Sequence, residues 1–143
     1  MKVLVVRGGV YHWQSYQFKD KTQRDKFFIS LNCKIDCEPF WLVLPTSQYE
    51  KQYQGSQKRL IDTLILEPHE SQYFPKKTVI DLKNLKDVCP NELKNAINQQ
   101  KINYIGLLEK PIFERLEQTI KQALTLSPIL INQLLCIEQK HDR

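Results

Sequence analysis

Apolar residues along this chain fall first into short runs of strand length and only later into helical spacing. Val3 to Val6 is a brief apolar run that Gly8-Gly9 interrupts. Val10 to Trp13, with Tyr16 and Phe18, then supplies the β-branched and aromatic residues that suit a half-buried strand. Lys19 to Asp25 is polar and reads as a loop. Phe27 to Leu31 and Phe40 to Leu44 are nearly continuous apolar runs, joined by a polar connection containing Asp36 and Pro39, and are expected to pair as an antiparallel hairpin. Tyr49 to Arg59 has no apolar periodicity and reads as a long loop. Leu60 to Leu66 and Thr78 to Leu82 recover strand character across a turn-like stretch containing Pro68.

From Pro90 the period changes. Asn91, Leu93, Ala96 and Ile97 fit a short helix with a first-turn proline. After Pro111, the residues Ile112, Leu116, Ile120, Ala123 and Leu124 recur at three- and four-residue spacing and lay one apolar stripe along a helix. Ser127-Pro128 restarts the pattern as a cap followed by a first-turn proline, and this last helix is expected to run to about Gln139. Ile129, Ile131, Leu134, Leu135 and Ile137 make it apolar over most of its girth, so it must bury against a sheet, the preceding helix or a second subunit. Strands followed by helices make an α+β chain, and short strands of this kind tend to curl into a small barrel that leaves no long bare edges.

At 143 residues the chain is expected to be one domain, with a barrel over about 1–88 and a helical part over about 90–139. Hydrophobic content of 41% and charged content of 26% place it with ordinary globular proteins and away from disordered ones. The apolar run near Met1 is too short for a signal peptide or a membrane span, which predicts a cytoplasmic protein with no membrane partner. Cys33, Cys37, Cys89 and Cys136 are scattered and read as reduced thiols, with no metal-ligand spacing.

Net charge is +5, and residues 1–62 hold ten Lys/Arg against six Asp/Glu, so the basic excess lies with the strands. A cationic face of that kind points to a nucleic-acid partner. Tyr11, Trp13 and Tyr16 before the basic loop, and Tyr49 and Tyr53 after Gln48, are aromatic residues that would stack unpaired bases if exposed. Alternation would otherwise bury Tyr11 and Trp13 as a pair.

Four segments carry a resemblance to a known family. They are Gly9-Val10-Tyr11, Lys26 to Asn32, Val43-Leu44-Pro45-Thr46-Ser47, and Phe74 to Leu82. In this order and spacing, from about Gly9 to Leu124, the chain resembles the PemK/MazF-like toxins of bacterial type II toxin-antitoxin systems. The resemblance implies a small SH3-like antiparallel β-barrel of the CcdB/PemK/MazF kind with C-terminal helices. It implies a cytoplasmic homodimer held by a cognate antitoxin, and an endoribonuclease that cleaves single-stranded RNA without a metal or other cofactor.

In such cleavage a ribose 2′-hydroxyl attacks the adjacent phosphorus, so the site needs proton acceptors and donors and cations that stabilise the phosphorane. The resemblance places the catalytic arginine at Arg24 and the strand-end hydroxyls at Thr46 and Ser47. Arginine is a forked, permanent donor suited to phosphate oxygens. The chain departs from the family pattern directly after Arg24, where Asp25 and Lys26 precede Phe27 in place of a proline. Lys26 or Lys21 would supply the cation if Arg24 points away. Lys21, Lys26, Gln48, Tyr49, Lys51, Tyr53, Lys58 and Arg59 are the candidate RNA-binding residues, and His12 and His69 the candidate acid or base. The alternative is an inactive relative that binds a protein, as the gyrase-directed cousins do, or a plain RNA-binding module.

Overall fold

The computed structural model describes residues 5–18, 20–33, 40–55 and 57–137. In chain order the elements are β1 (Gly9–Gln17), β2 (Gln23–Ser30), β3 (Phe40–Val43), β4 (Pro45–Thr46), α1 (Tyr49–Gln52), β5 (Thr63–Leu66), β6 (Thr78–Asp81), β7 (Lys86–Val88), α2 (Pro90–Asn98), β8 (Ile102–Leu107), α3 (Lys110–Lys121) and α4 (Pro128–Leu134). They belong to two compact units, each assembled from two stretches of chain. One comprises the described residues up to Pro45 together with Asn84–Leu108, the other Thr46–Lys83 together with the described residues from Glu109 on.

The first unit is a five-stranded sheet in the order β7-β3-β2-β1-β8. The expected pairing of β2 with β3 is present, antiparallel, with Ile29 opposite Val43 and Ser30 opposite Leu42. The polar connection with Asp36 and Pro39 lies outside the described residues, as do Cys37 and the start of the Val3 to Val6 run.

A bulge decides the core of this unit. Trp13 and Tyr16 are three residues apart, so strict alternation would send them to opposite faces. The β1–β2 register shifts between them and Ser15 takes φ +56°, which returns Tyr16 to the face of Trp13. The two rings meet at 5.1 Å and both contact Phe28, at 5.2 and 5.0 Å. Tyr11, Trp13 and Tyr16 are therefore all buried: Tyr11 and Trp13 face the core as alternation allows, and Tyr16 joins them, so the trio offers no base-stacking surface. Gly8, at φ +76°, and Gly9 lead into the strand. A Cβ on Gly9 would meet the Tyr11 ring at 2.7 Å, so only glycine lets that ring pack where its oxygen accepts a hydrogen bond from Val6 N at 2.8 Å. Leu93 and Ala96 of α2 close over the same face, with Ile97 against it.

The second unit has a three-stranded sheet in the order β4-β6-β5. Leu64 and Leu66 are buried on β5, and every residue of β6 is buried. α3 begins with Pro111 in its first turn and buries the expected stripe of Ile112, Leu116 and Ile120. Leu124 leaves that stripe, at 81% exposed, because the helix stops at Lys121. There the chain is caught by Asp62, whose carboxylate accepts from Leu124 N at 2.8 Å and from Thr125 N at 2.7 Å, and also from the Thr125 hydroxyl. Ser127 caps α4 as expected, accepting from Leu130 N at 3.2 Å. α4 ends at Leu134, short of the expected boundary, with Cys136 in the left-handed region at φ +61° and Gln139 outside the described residues.

The chain is thus α+β with antiparallel pairing. Among the described residues no closed barrel is found, since β7 and β8 are edges of the larger sheet. Cys89 is a free, exposed thiol, whereas Cys33 and Cys136 are each in a disulfide, which corrects the reduced-thiol reading for those two. Among the described residues no helix is long and apolar enough to cross a membrane.

Asp62 gives a stability test. Partial burial raises its pKa, but the Thr125 hydroxyl, the Leu124 and Thr125 N–H groups and the Lys83 charge outweigh that and hold it below 3.8. Asp62→Ala should lower unfolding stability by roughly 1–3 kcal/mol, the scale for backbone donors that lose a charged acceptor. A depressed folded pKa stabilises above the unfolded pKa and is lost as pH falls through the folded value. The difference between wild type and variant in urea unfolding should therefore be full at neutral pH and shrink below about pH 4. A difference that persists undiminished in acid would exclude the carboxylate as its source.

Candidate nucleic-acid interface

In the second unit β4 ends in a turn built by its own side chain. Thr46 Oγ1 accepts from Gln48 N at 3.3 Å, which bends the chain into α1 and leaves Ser47 exposed. The long loop expected from Tyr49 to Arg59 thus begins with a helical turn. Gln52 Nε2 donates to Gln48 Oε1 at 2.8 Å along that turn, and Arg59 Nη1 donates to Gln52 O at 2.8 Å at its end.

An open recess of about 380 Å³ lies beside this turn, lined by Ser47, Gln48, Tyr49, Lys51, Lys76 and Lys77. Such a volume is in the range of small-ligand sites. Lys77 Nζ sits 3.9 Å from the centroid of the Tyr49 ring and 3.8 Å from Glu67 Oε1. Lys51 and Lys76 are exposed. Three lysines, a hydroxyl, a carboxamide and an aromatic ring lining one recess can hold an anionic, hydrogen-bonding ligand such as a phosphodiester.

Four of the six lining residues, Ser47, Gln48, Tyr49 and Lys51, are candidates from the sequence. Lys76 and Lys77 are not among them. Their signal was available, because two adjacent lysines stand directly before the apolar strand Thr78–Asp81, just as Arg24 and Lys26 stand before Phe27.

Comparison with protein-family models, with curated proteins and with solved structures finds no match to this chain. The site is therefore judged on its own geometry.

That geometry removes Tyr53 from the binding set. The side chain is 4% exposed and its hydroxyl donates to Asp81 Oδ2 at 2.7 Å. Burial, this hydrogen bond and the Asp81 charge all push its pKa up, with only the Arg59 charge opposing them. Its ring stacks on Tyr49 at 6.4 Å and 16°, so it supports the recess from behind. Lys58 and Arg59 are exposed beyond α1. His69 is exposed in the turn after β5 at φ +65°, its N–H donating to Phe74 O.

The other candidates lie in the first unit. Arg24, opposite Tyr16 on β2, is exposed, with its guanidinium 4.9 Å from the Phe18 ring centroid. Lys26 Nζ lies 5.8 Å from the same ring, and burial followed by the Arg24 charge lowers its pKa. Asp25, between them, serves different partners: it accepts from Ser15 N at 2.9 Å and stands 3.8 Å from His12 Nε2. Strand alternation thus separates Asp25 from the two cations. His12 is half-buried with its ring edge against Phe27 at 5.3 Å. Lys21 is exposed in a turn at φ +68°. Among the described residues no three His, Cys, Asp or Glu side chains are grouped to hold a metal ion.

Two substitutions separate support from contact. Tyr53→Phe should cost roughly 1–3 kcal/mol in urea unfolding, because Asp81 loses a buried donor. Tyr49→Ala should leave stability nearly unchanged and weaken binding of single-stranded RNA several-fold. The reverse pattern would make Tyr53 the contact residue and overturn the assignment.

Proposed function

We propose that this chain binds single-stranded RNA, with a strand segment held in the recess of the second unit. The observation that carries this reading is one recess lined by Lys51, Lys76, Lys77, Tyr49 and Ser47, with the Lys77 ammonium over the Tyr49 ring. Lysines supply point charges for phosphate oxygens, and an aromatic ring accepts any base without reading its edge. The recess is small, which suits one unit of a strand more than the broad contact a duplex needs.

Cleavage is the form that the resemblance to PemK/MazF-like toxins adds to this reading. In that form Ser47 and Thr46 donate to the phosphate oxygens, the lysines of the recess stabilise the phosphorane, and a cognate antitoxin restrains a cytoplasmic homodimer, while the arginine that the resemblance assigns, Arg24, belongs to the first unit. Two observations weigh on the fine detail. Among the described residues no imidazole lines the recess. Disulfide-bonded Cys33 and Cys136 favour an oxidising compartment over the cytoplasm. Binding is thus the activity with geometric support, and cleavage rests on the resemblance.

Incubation with mixed single-stranded RNA in chelator, followed by end sequencing, tests both parts. Lys76→Ala with Lys77→Ala should reduce affinity about tenfold and flatten the salt dependence by about 1.4 in log–log slope, at about 0.7 per lost phosphate contact. Unchanged affinity and slope would refute the recess as the RNA site. Fragments with cyclic phosphate and 5′-hydroxyl ends, lost in Thr46→Ala and in Arg24→Ala, are the outcome expected of a toxin-type nuclease. Intact RNA that is nonetheless bound would leave a binding module.

A further inference from the structure

The side chains that line the recess of the second unit are mostly hydrogen-bond donors. Lys51, Lys76 and Lys77 each bring an ammonium, which can only donate, and Ser47 brings an exposed hydroxyl. Gln48 has one side-chain acceptor, Oε1, and Gln52 Nε2 already engages it at 2.8 Å. The two N–H groups of Gln48 Nε2 have no partner among the described residues. The charges are as one-sided as the donors. Glu67 stands 3.8 Å from Lys77, while the ammonium groups of Lys51 and Lys76 meet no carboxylate among the described residues. Three positive charges against one negative leave an excess of two at the recess. Lys77 is also set in place in advance, with its ammonium 3.9 Å from the centroid of the Tyr49 ring.

We propose that the recess holds a terminal phosphate, a phosphomonoester at one end of the RNA strand, so that the chain recognises an end of the strand and not its interior. This rests on the RNA reading and narrows it. An internal phosphodiester carries a single negative charge and two free oxygens, whereas a monoester carries a charge of about −1.5 to −2 at pH 7 and three strong acceptor oxygens. The monoester therefore matches both the excess of positive charge and the set of donors. A base edge matches less well, because it mixes N–H donors with its acceptors, and these side chains leave few acceptors to receive them. At about 380 Å³ the recess has room for the phosphate together with the sugar and base attached to it.

The test uses the full chain and one short RNA without self-pairing, prepared with a 5′-phosphate, with a 3′-phosphate, or with hydroxyls at both ends. Binding is followed by fluorescence anisotropy in chelator. One phosphorylated form should bind about tenfold more tightly than the hydroxyl form, the scale of added hydrogen bonds to a charged group. That ratio should fall severalfold from about pH 7.5 to about pH 5, because the monoester takes up its second proton near pH 6. The hydroxyl form is measured at each pH, so a change in the protein that affects both forms cancels in the ratio, and no variant is needed. Lys76→Ala with Lys77→Ala should bring the ratio close to one. So should Gln48→Glu, which keeps an oxygen for Gln52 and puts an acceptor in place of the free donors. Equal affinity for the three RNAs would overturn the proposal and leave the RNA reading standing, whereas failure of all three to bind would overturn both. A ratio that is constant across the pH range, or that survives either variant, would also overturn the proposal.

Discussion

The Asp81 carboxylate is buried on β6, and a charge in that position costs several kcal/mol unless donors surround it. Tyr53 supplies one donor through its hydroxyl. Lys83 supplies two more, from its backbone N–H at 2.9 Å and its ammonium at 3.0 Å. Lys83 Nζ also donates to Arg59 O at 2.9 Å and to Ile61 O, and Arg59 in turn holds the end of α1. One acid therefore ties the α1 turn and the approach to β5 to the same strand. The recess depends on that arrangement, because Tyr49 is placed by α1 while Lys76 and Lys77 are placed by the start of β6.

The same logic separates residues that support from residues that touch a ligand. Tyr53 and Tyr49 are four residues apart on one helical turn and stack on each other, yet one faces Asp81 and the other the recess. Arg24 and Asp25 are neighbours on one strand and serve opposite partners, an aromatic ring and a histidine. Pleating alone accounts for the second pair.

Much of this was legible in the chain. Pro90, Pro111 and Pro128 mark the first turns of the three longer helices, because a first-turn proline gives up no hydrogen bond. The stripe of Ile112, Leu116 and Ile120 is buried as its spacing requires. β7 and β8 were not legible. β7 is three residues with two charges, and β8 breaks its own alternation by exposing Tyr104 and Ile105 side by side. Edge strands need only one partner and one buried face, so their side chains carry a weak period. The end of α3 was also missed, since Leu124 continues the apolar spacing while the backbone is diverted to Asp62.

By itself the sequence determined the α+β order, most strand positions, the helix starts and the basic, aromatic stretch after Thr46. These are local properties, set by how each residue suits its own element. Tertiary structure alone decided that Tyr16 joins Trp13 in the core, that Tyr53 is buried on Asp81, and that Lys76 and Lys77 line one recess with Tyr49 and Lys51. Each of those outcomes depends on a bulge or on a strand pairing between distant parts of the chain, and periodicity records neither.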